Sequence, residues 1–335
     1  MTRVNRRQLL LGGGALIAAP AILRRAAAAP APAELVVGEA DAVLLDGGGP
    51  ARLWAFNGAS PGPLLRVRKG GEVAVRLRNG LAEGTSIHWH GIRIDNAMDG
   101  VVHLTQPPVG EGETFDYRFT APDAGTFWYH PHTHESWRQV SMGLYGVLVV
   151  EEDEPVDVDH DVVMVVDDWR VREDGGLDTE SLGNFHDAAH VGRLGNILTV
   201  NGKPFEALEF PAGSRLRLRL VSTATARILR LALDGGEAWV VARDGQPVAV
   251  RELAGTMVLS PGQRIDLVLD VTGDPGAAIT LSEVTGETPL AAARIVVAEG
   301  TGSRRAAPPE ALPGNLVALP RDFDPRQSVD LVMEG

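Results

Sequence analysis

His88-Trp89-His90-Gly91 and, further along, His130-Pro131-His132 are the residues of this chain best suited to chemistry. In an extended segment alternate side chains share a face about 6.6 Å apart, so each His-x-His pair can aim two imidazoles into one space. Two such pairs make a four-imidazole metal site. Neutral imidazole suits copper, zinc, iron or nickel, whereas hard ions want carboxylate oxygen. The same spacing on neighbouring strands can also give one ring to each of two adjacent metals, which suits a cluster. The plain alternative is a chance surface pair or a hydrogen-bonded core pair. Against it, the two motifs use four of the chain's nine histidines and both stand among aromatics.

Strand ends are needed to hold such pairs. After Pro30 the chain reads as short alternating segments broken by Gly, Pro and Asn, at 72–78, 114–119 and 146–150. An acidic stretch over 151–161 follows, and the first domain boundary is placed there. Alternation resumes at 161–166, 215–220, 228–233 and 264–270. Period-two patterning at this spacing predicts antiparallel strands in sandwiches or barrels, and no helical periodicity is long enough for a core helix. From Gly300 to Asn315 the composition is that of a linker. The alternating segment 326–333 cannot bury its apolar face without a partner sheet, so it reads as the start of an incomplete third domain. The predicted organisation is a signal segment over 1–33, domains over 34–153 and 154–299, and a linker with one strand over 300–335.

The length of 335 residues fits about two domains. The net charge of −13 is spread without long acidic runs and argues against a nucleic-acid partner. With no cysteine, disulfides, thiolate zinc sites and thiol catalysis are excluded together. At the N-terminus Arg3, Arg6 and Arg7 precede a weakly apolar run from Leu9 to Leu23 and then Ala26 to Ala29, the order of a cleavable export signal. The run is too short and too rich in Gly and Ala for a membrane span. The Arg6-Arg7 pair resembles a twin-arginine signal, so the expected location is periplasmic or extracellular, with no stable span after cleavage.

The stretches 86–92, 98–100, 105–108, 125–132 and 143–146 together resemble the multicopper oxidases of the laccase and bacterial copper-oxidase group. Asn201-Gly202-Lys203-Pro204 and Ser260-Pro261-Gly262-Gln263-Arg264 resemble the family's middle domain. The resemblance implies an all-β fold of two cupredoxin-like Greek-key sandwiches and half the ligands of a trinuclear copper cluster that reduces dioxygen to water. His88 would hold the type-2 copper, and His90, His130 and His132 the type-3 pair. Partners would be dioxygen and an electron-donor substrate, with a third domain expected in cis. The family's His-x-x-His-x-His and His-Cys-His motifs do not occur here. Without cysteine, this sequence cannot form the type-1 site that takes electrons from the substrate.

Asp99 lies in a Met-Asp-Gly turn after the first motif, and the resemblance gives a carboxylate there a part in delivering protons. A simple Asx turn with Gly100 is the alternative. His134, two beyond His132, is expected to face the same way at the rim, with Glu135 orienting it. Trp89, Trp128 and Tyr129 pack around the ligands or serve hole transfer. His186 and His190 could pair across one helical turn but have no third ligand in view. Asp167-Asp168 reads as a turn at a strand end, and His103 and His160 as surface residues. The expected function is the N-terminal part of an exported multicopper oxidase; the competing reading is a non-enzymatic exported copper-binding or structural protein.

Overall fold

The computed structural model describes residues 31–302, 305–315, 330 and 332. The predicted signal segment lies outside them, but for its last residues, as does the predicted third-domain strand, but for Asp330 and Val332. The first sandwich pairs two four-stranded sheets. One sheet holds β1 (Ala33–Ala42), β2 (Ala51–Phe56), β4 (Glu72–Asn79) and β6 (Thr114–Thr120), in the order β2-β1-β4-β6. The other holds β3 (Leu65–Arg68), β5 (His88–His90), β7 (Gly125–His130) and β8 (Gly146–Glu151), in the order β3-β8-β7-β5. β4 shows the alternation that places it: Val73, Val75 and Leu77 are buried while Glu72, Arg76 and Arg78 are exposed. Parallel pairing of β1 with β4 and of β3 with β8 requires crossovers between the sheets, giving a cupredoxin-like Greek key.

The second sandwich is built from β9 (His160–Trp169), β10 (Ile197–Val200), β11 (Glu206–Ala212), β12 (Arg215–Ser222), β13 (Leu229–Asp234), β14 (Ala238–Arg243), β15 (Gln246–Glu252), β16 (Thr256–Leu259), β17 (Arg264–Asp270), β18 (Ala278–Glu283) and β19 (Leu290–Thr301). They form a six-stranded sheet, β10-β9-β12-β17-β14-β15, and a five-stranded one, β11-β19-β18-β13-β16. Two short helices, α1 (Ser136–Ser141) and α2 (Phe185–Ala189), decorate the loops. No helix among the described residues is long and apolar enough to cross a membrane.

The described residues from Pro32 onward form one compact unit, and a charged seam joins the sandwiches. Arg215-Leu-Arg-Leu-Arg-Leu220 reads as an amphipathic strand, yet every residue of β12 is buried. Its arginines face acids on neighbouring strands and the first sandwich. Arg217 donates to Asp266 at 2.7 Å and to Glu152 at 2.8 Å. Arg219 donates to Asp161 at 2.7 Å and to Thr126 Oγ1 at 2.9 Å, and Thr126 Oγ1 donates to Asp266 at 2.7 Å. Thr126 belongs to β7, so this network ties the strand that carries His130 to the second sandwich.

Described residues of the expected linker make contacts of their own. β19 runs past the expected boundary to Thr301, and 305–315 folds back as a strap. Arg305 binds Asp157 and Asp159, Leu312 is buried against Val241, Ala242 and Val268, and Asn315 bonds Ala124 and Gln246.

Candidate metal centre

β5 and β7 run antiparallel with His88 opposite His130, Trp89 opposite Tyr129 and His90 opposite Trp128. Opposed residues lie on the same face and successive residues alternate. His88, His90, Trp128 and His130 therefore share one face, while Trp89 and Tyr129 turn into the core and are fully buried. Three contacts fix the height of β5. Ile87 N–H donates to Tyr117 Oη at 2.8 Å, Tyr117 Oη–H donates to Gln106 Oε1 at 2.9 Å, and Ile87 O lies so close to Gly100 that a Cβ there would overlap it.

β7 ends at His130, and His132 joins from an isolated bridge with Val101. Its backbone N–H donates to Ser86 Oγ at 3.1 Å, which stitches the second motif to the residues just before the first. The four rings converge. His88 stands 5.7 Å from His90 and 5.3 Å from both His130 and His132, centroid to centroid, and His90 stands 5.5 Å from His130. One nitrogen each from His88, His90 and His130 lies within 4.8 Å of the others. His132 is outside that tighter trio and joins through its ring contact with His88.

Backbone partners decide which nitrogens are free. His88 Nδ1 faces Asp99 O at 3.0 Å and Asp99 Oδ1 at 3.1 Å. His130 Nδ1 faces Pro131 O at 2.9 Å. An oxygen acceptor requires a protonated ring nitrogen, so in both rings Nε2 carries the free lone pair. His90 presents the other nitrogen: its Nδ1 lies 3.3 Å from His130 Nε2. Trp128 stacks on His130 at 4.1 Å and 28° and lies 4.9 Å from His90. Burial, then the Arg264 guanidinium, pushes His90 down to about 4. Burial also takes His130 well below its ordinary value. Both rings are thus neutral at ordinary pH, as metal ligation demands. Four convergent imidazoles are a donor set that fits copper.

Asp99 stands against His88 as described. The Asx bond of this loop belongs instead to Asp95, whose carboxylate accepts from Ala97 N–H at 3.0 Å. His134 does not extend the motif, because no strand follows Pro131; it sits exposed in the turn before α1, and Glu135 pairs with Arg138. His186 and His190 stack at 4.2 Å on exposed α2, with His190 Nδ1 on His186 O, apart from the four-ring group. His103 and His160 are exposed, His160 resting on Phe210. Asp167 and Asp168 are inside β9 and not in a turn: Asp167 accepts from Tyr145 Oη at 2.6 Å, and Asp168 from Arg227 at 2.8 Å.

Sequence reasoning missed Arg264 and Gly262, which reach the nest from the second sandwich. Their motif was visible, but nothing in it announced a neighbour so distant in sequence. An added Cβ on Gly262 would stand 3.4 Å from His90 Cε1 and 3.5 Å from its Nε2.

Paired Greek-key sandwiches with a histidine nest at a strand end define a multidomain cupredoxin-like protein. Family models described as multicopper oxidase match residues 39–155 and 160–293. The chain belongs to the multicopper oxidase family, a family of oxidoreductases whose cofactor is copper. It is 32% identical over 292 residues to multicopper oxidase MmcO of Mycobacterium tuberculosis, covering 77% of this chain and 55% of that protein. It is 30% identical to copper resistance protein A of Pseudomonas syringae pv. tomato, covering 73% of this chain and 47% of that one. The chain thus spans about half the length of these curated relatives. Among solved structures, a multi-copper oxidase from Pseudomonas thermotolerans superposes with a TM-score of 0.80 at 40% identity, over 88% of this chain and 69% of that one. Lac15 from a marine microbial metagenome gives 0.75 at 42%, over 87% and 73%.

Proposed function

We propose that His88, His90, His130 and His132 supply half the ligands of a trinuclear copper cluster in an exported multicopper oxidase. Such an enzyme couples one-electron oxidation of a donor substrate to reduction of dioxygen to water. The observation that carries the reading is the convergence of the four rings, with lone pairs free on His88 Nε2 and His130 Nε2 and with His90 Nδ1 turned toward His130 Nε2. Copper, when bound, supplies the redox chemistry. The protein's part is to orient the rings, keep them neutral and bring protons. Asp99 is placed for the last of these: its carboxylate faces His88 and is partly open to solvent, so it can take a proton from water beside the cluster. Trp128 lies along His90 and His130 and keeps water off their faces. The basic and apolar order of the N-terminal residues supports export to a periplasm or beyond, and the division of the strands into two sandwiches supports two domains with limits near 34–153 and 154–299.

Copper counted per purified chain, with affinity read by competition against a chromophoric chelator, tests the ligand set. Alanine at 88, 90, 130 or 132 is expected to weaken binding at least 10-fold, whereas alanine at His103 or His160 leaves it unchanged. A quadruple variant that binds as much copper as tightly would sink the assignment. In an enzyme that also carries the type-1 site and the remaining cluster ligands, oxygen uptake with a donor separates the two functions. Uptake lost in the same variants supports an oxidase, and tight copper without uptake favours a copper-holding module.

A further inference from the structure

The turn that opens β17 leaves the second sandwich and ends on the rim of the histidine nest. Its last residue, Arg264, is 3% exposed and fixed on several sides. Nε donates to Thr126 O at 3.2 Å, within β7; Nη1 donates to Gly262 O at 2.8 Å and lies 3.3 Å from Asp244 Oδ1. Nη2 occupies the space where a Cβ on residue 91 would project, so Gly91 is the residue that lets a guanidinium lie against the chain just after His90. Gly262 abuts the Cε1 and Nε2 edge of the His90 ring, and its own N–H donates to Ser222 O at 3.1 Å. The opposite side of the ring carries Nδ1, which faces His130 Nε2. A planar guanidinium can hold such a seam through three separate nitrogens, as an ammonium cannot.

We propose that Arg264 and Gly262 are positioning residues which press the Nε2 edge of His90 against the second sandwich and so make Nδ1 the nitrogen offered to copper. The proposal rests on the ligand reading above. It gives the second sandwich, which contributes no ligand of its own to the nest, a part in building the site. It also explains why His90 differs from His88 and His130. Those two rings have carbonyl partners on Nδ1 that turn Nε2 inward. Among the described residues His90 has no such carbonyl partner, and a neighbouring domain does the turning instead. If Arg264 merely filled space, its loss would lower stability without changing which nitrogen binds.

Long-range proton–nitrogen spectra of the chain labelled with 15N-histidine read each ring nitrogen as bare, protonated or bound to diamagnetic copper(I). Because His130 Nε2 is bare, metal-free His90 is expected as one tautomer, protonated on Nδ1. With copper(I) the shift of a bound nitrogen should appear at Nδ1 of His90 and at Nε2 of His88 and His130. Arg264→Met should give mixed His90 tautomers and mixed Nδ1 and Nε2 binding, with copper(I) affinity down about 10-fold. Arg264→Lys keeps a cation beside Asp244 and guards against loss of the fold; it should show the same mixing to a smaller degree. Either variant folded, with a single His90 tautomer and unchanged affinity, overturns the proposal. The metal-free spectra judge the clamp and the copper spectra judge the ligands, so the two failures are told apart. A wild-type chain that binds no copper at these rings overturns the ligand reading and this use of the clamp with it.

Discussion

Gly100 shows at the scale of one residue how narrow the tolerances of the nest are. It has φ +74, and a Cβ at this position would overlap Ile87 O, one residue before His88. Gly100→Ala must strain the backbone and push β5 aside, at a cost of roughly 1–3 kcal/mol. We expect a lower urea midpoint together with weaker copper binding; a variant with native copper affinity would show that β5 is not held from this side. The histidines themselves were legible because alternate imidazoles are a chemically unusual pattern, and two copies reinforce each other. Asp99 was half legible, since an Asp-Gly pair reads equally well as a turn. Ser86 and Arg264 were not legible. One works through a backbone N–H and the other across domains, and neither relation leaves a mark on local spacing.

Among the elements, the strands were the readable part, because one-sided burial writes period two into the chain. The segments at 72–78, 114–119 and 264–270 all fall within β4, β6 and β17. The strands with two buried faces were read as strands too, but the burial of their polar side chains was not. β12 alternates Arg with Leu, but its polar face meets Asp266 and Asp161; the matching alternation of acids in 264–270 was the available signal. β9 hid a second case in Asp167, whose carboxyl is pushed up to about 7 by burial and then by the charge of Asp168. In the unfolded chain that group releases its proton near its ordinary 3.8. Between these values the folded state binds more protons, so this group's contribution to stability falls as pH rises. Asp167→Asn removes the ionisation, and the variant should gain stability relative to wild type on going from pH 5 to pH 8. Parallel urea midpoints for the two proteins across that range would refute the assignment. The depressed His90 and His130 act with the opposite sign in both proteins, costing stability on acidification below about 6.5, and cancel in the comparison.

For the molecule as a whole, the seam between the sandwiches decides whether the nest holds together. Thr126 Oγ1 is buried between Arg219 and Asp266 and links all three by its single hydroxyl. Thr126→Val keeps the shape but leaves a buried cation and a buried anion each short of a partner. We expect a loss of about 2–3 kcal/mol in urea unfolding; a change below about 0.5 kcal/mol would mean that the bond adds nothing net. The polar seam has a consequence for how such chains can be recombined. A hybrid that takes one sandwich from each of two homologues must inherit position 126 together with 217, 219 and 266 from a single parent. Otherwise the charges are stranded at the joint, and hybrids should survive or fail according to that quartet more than by overall percent identity.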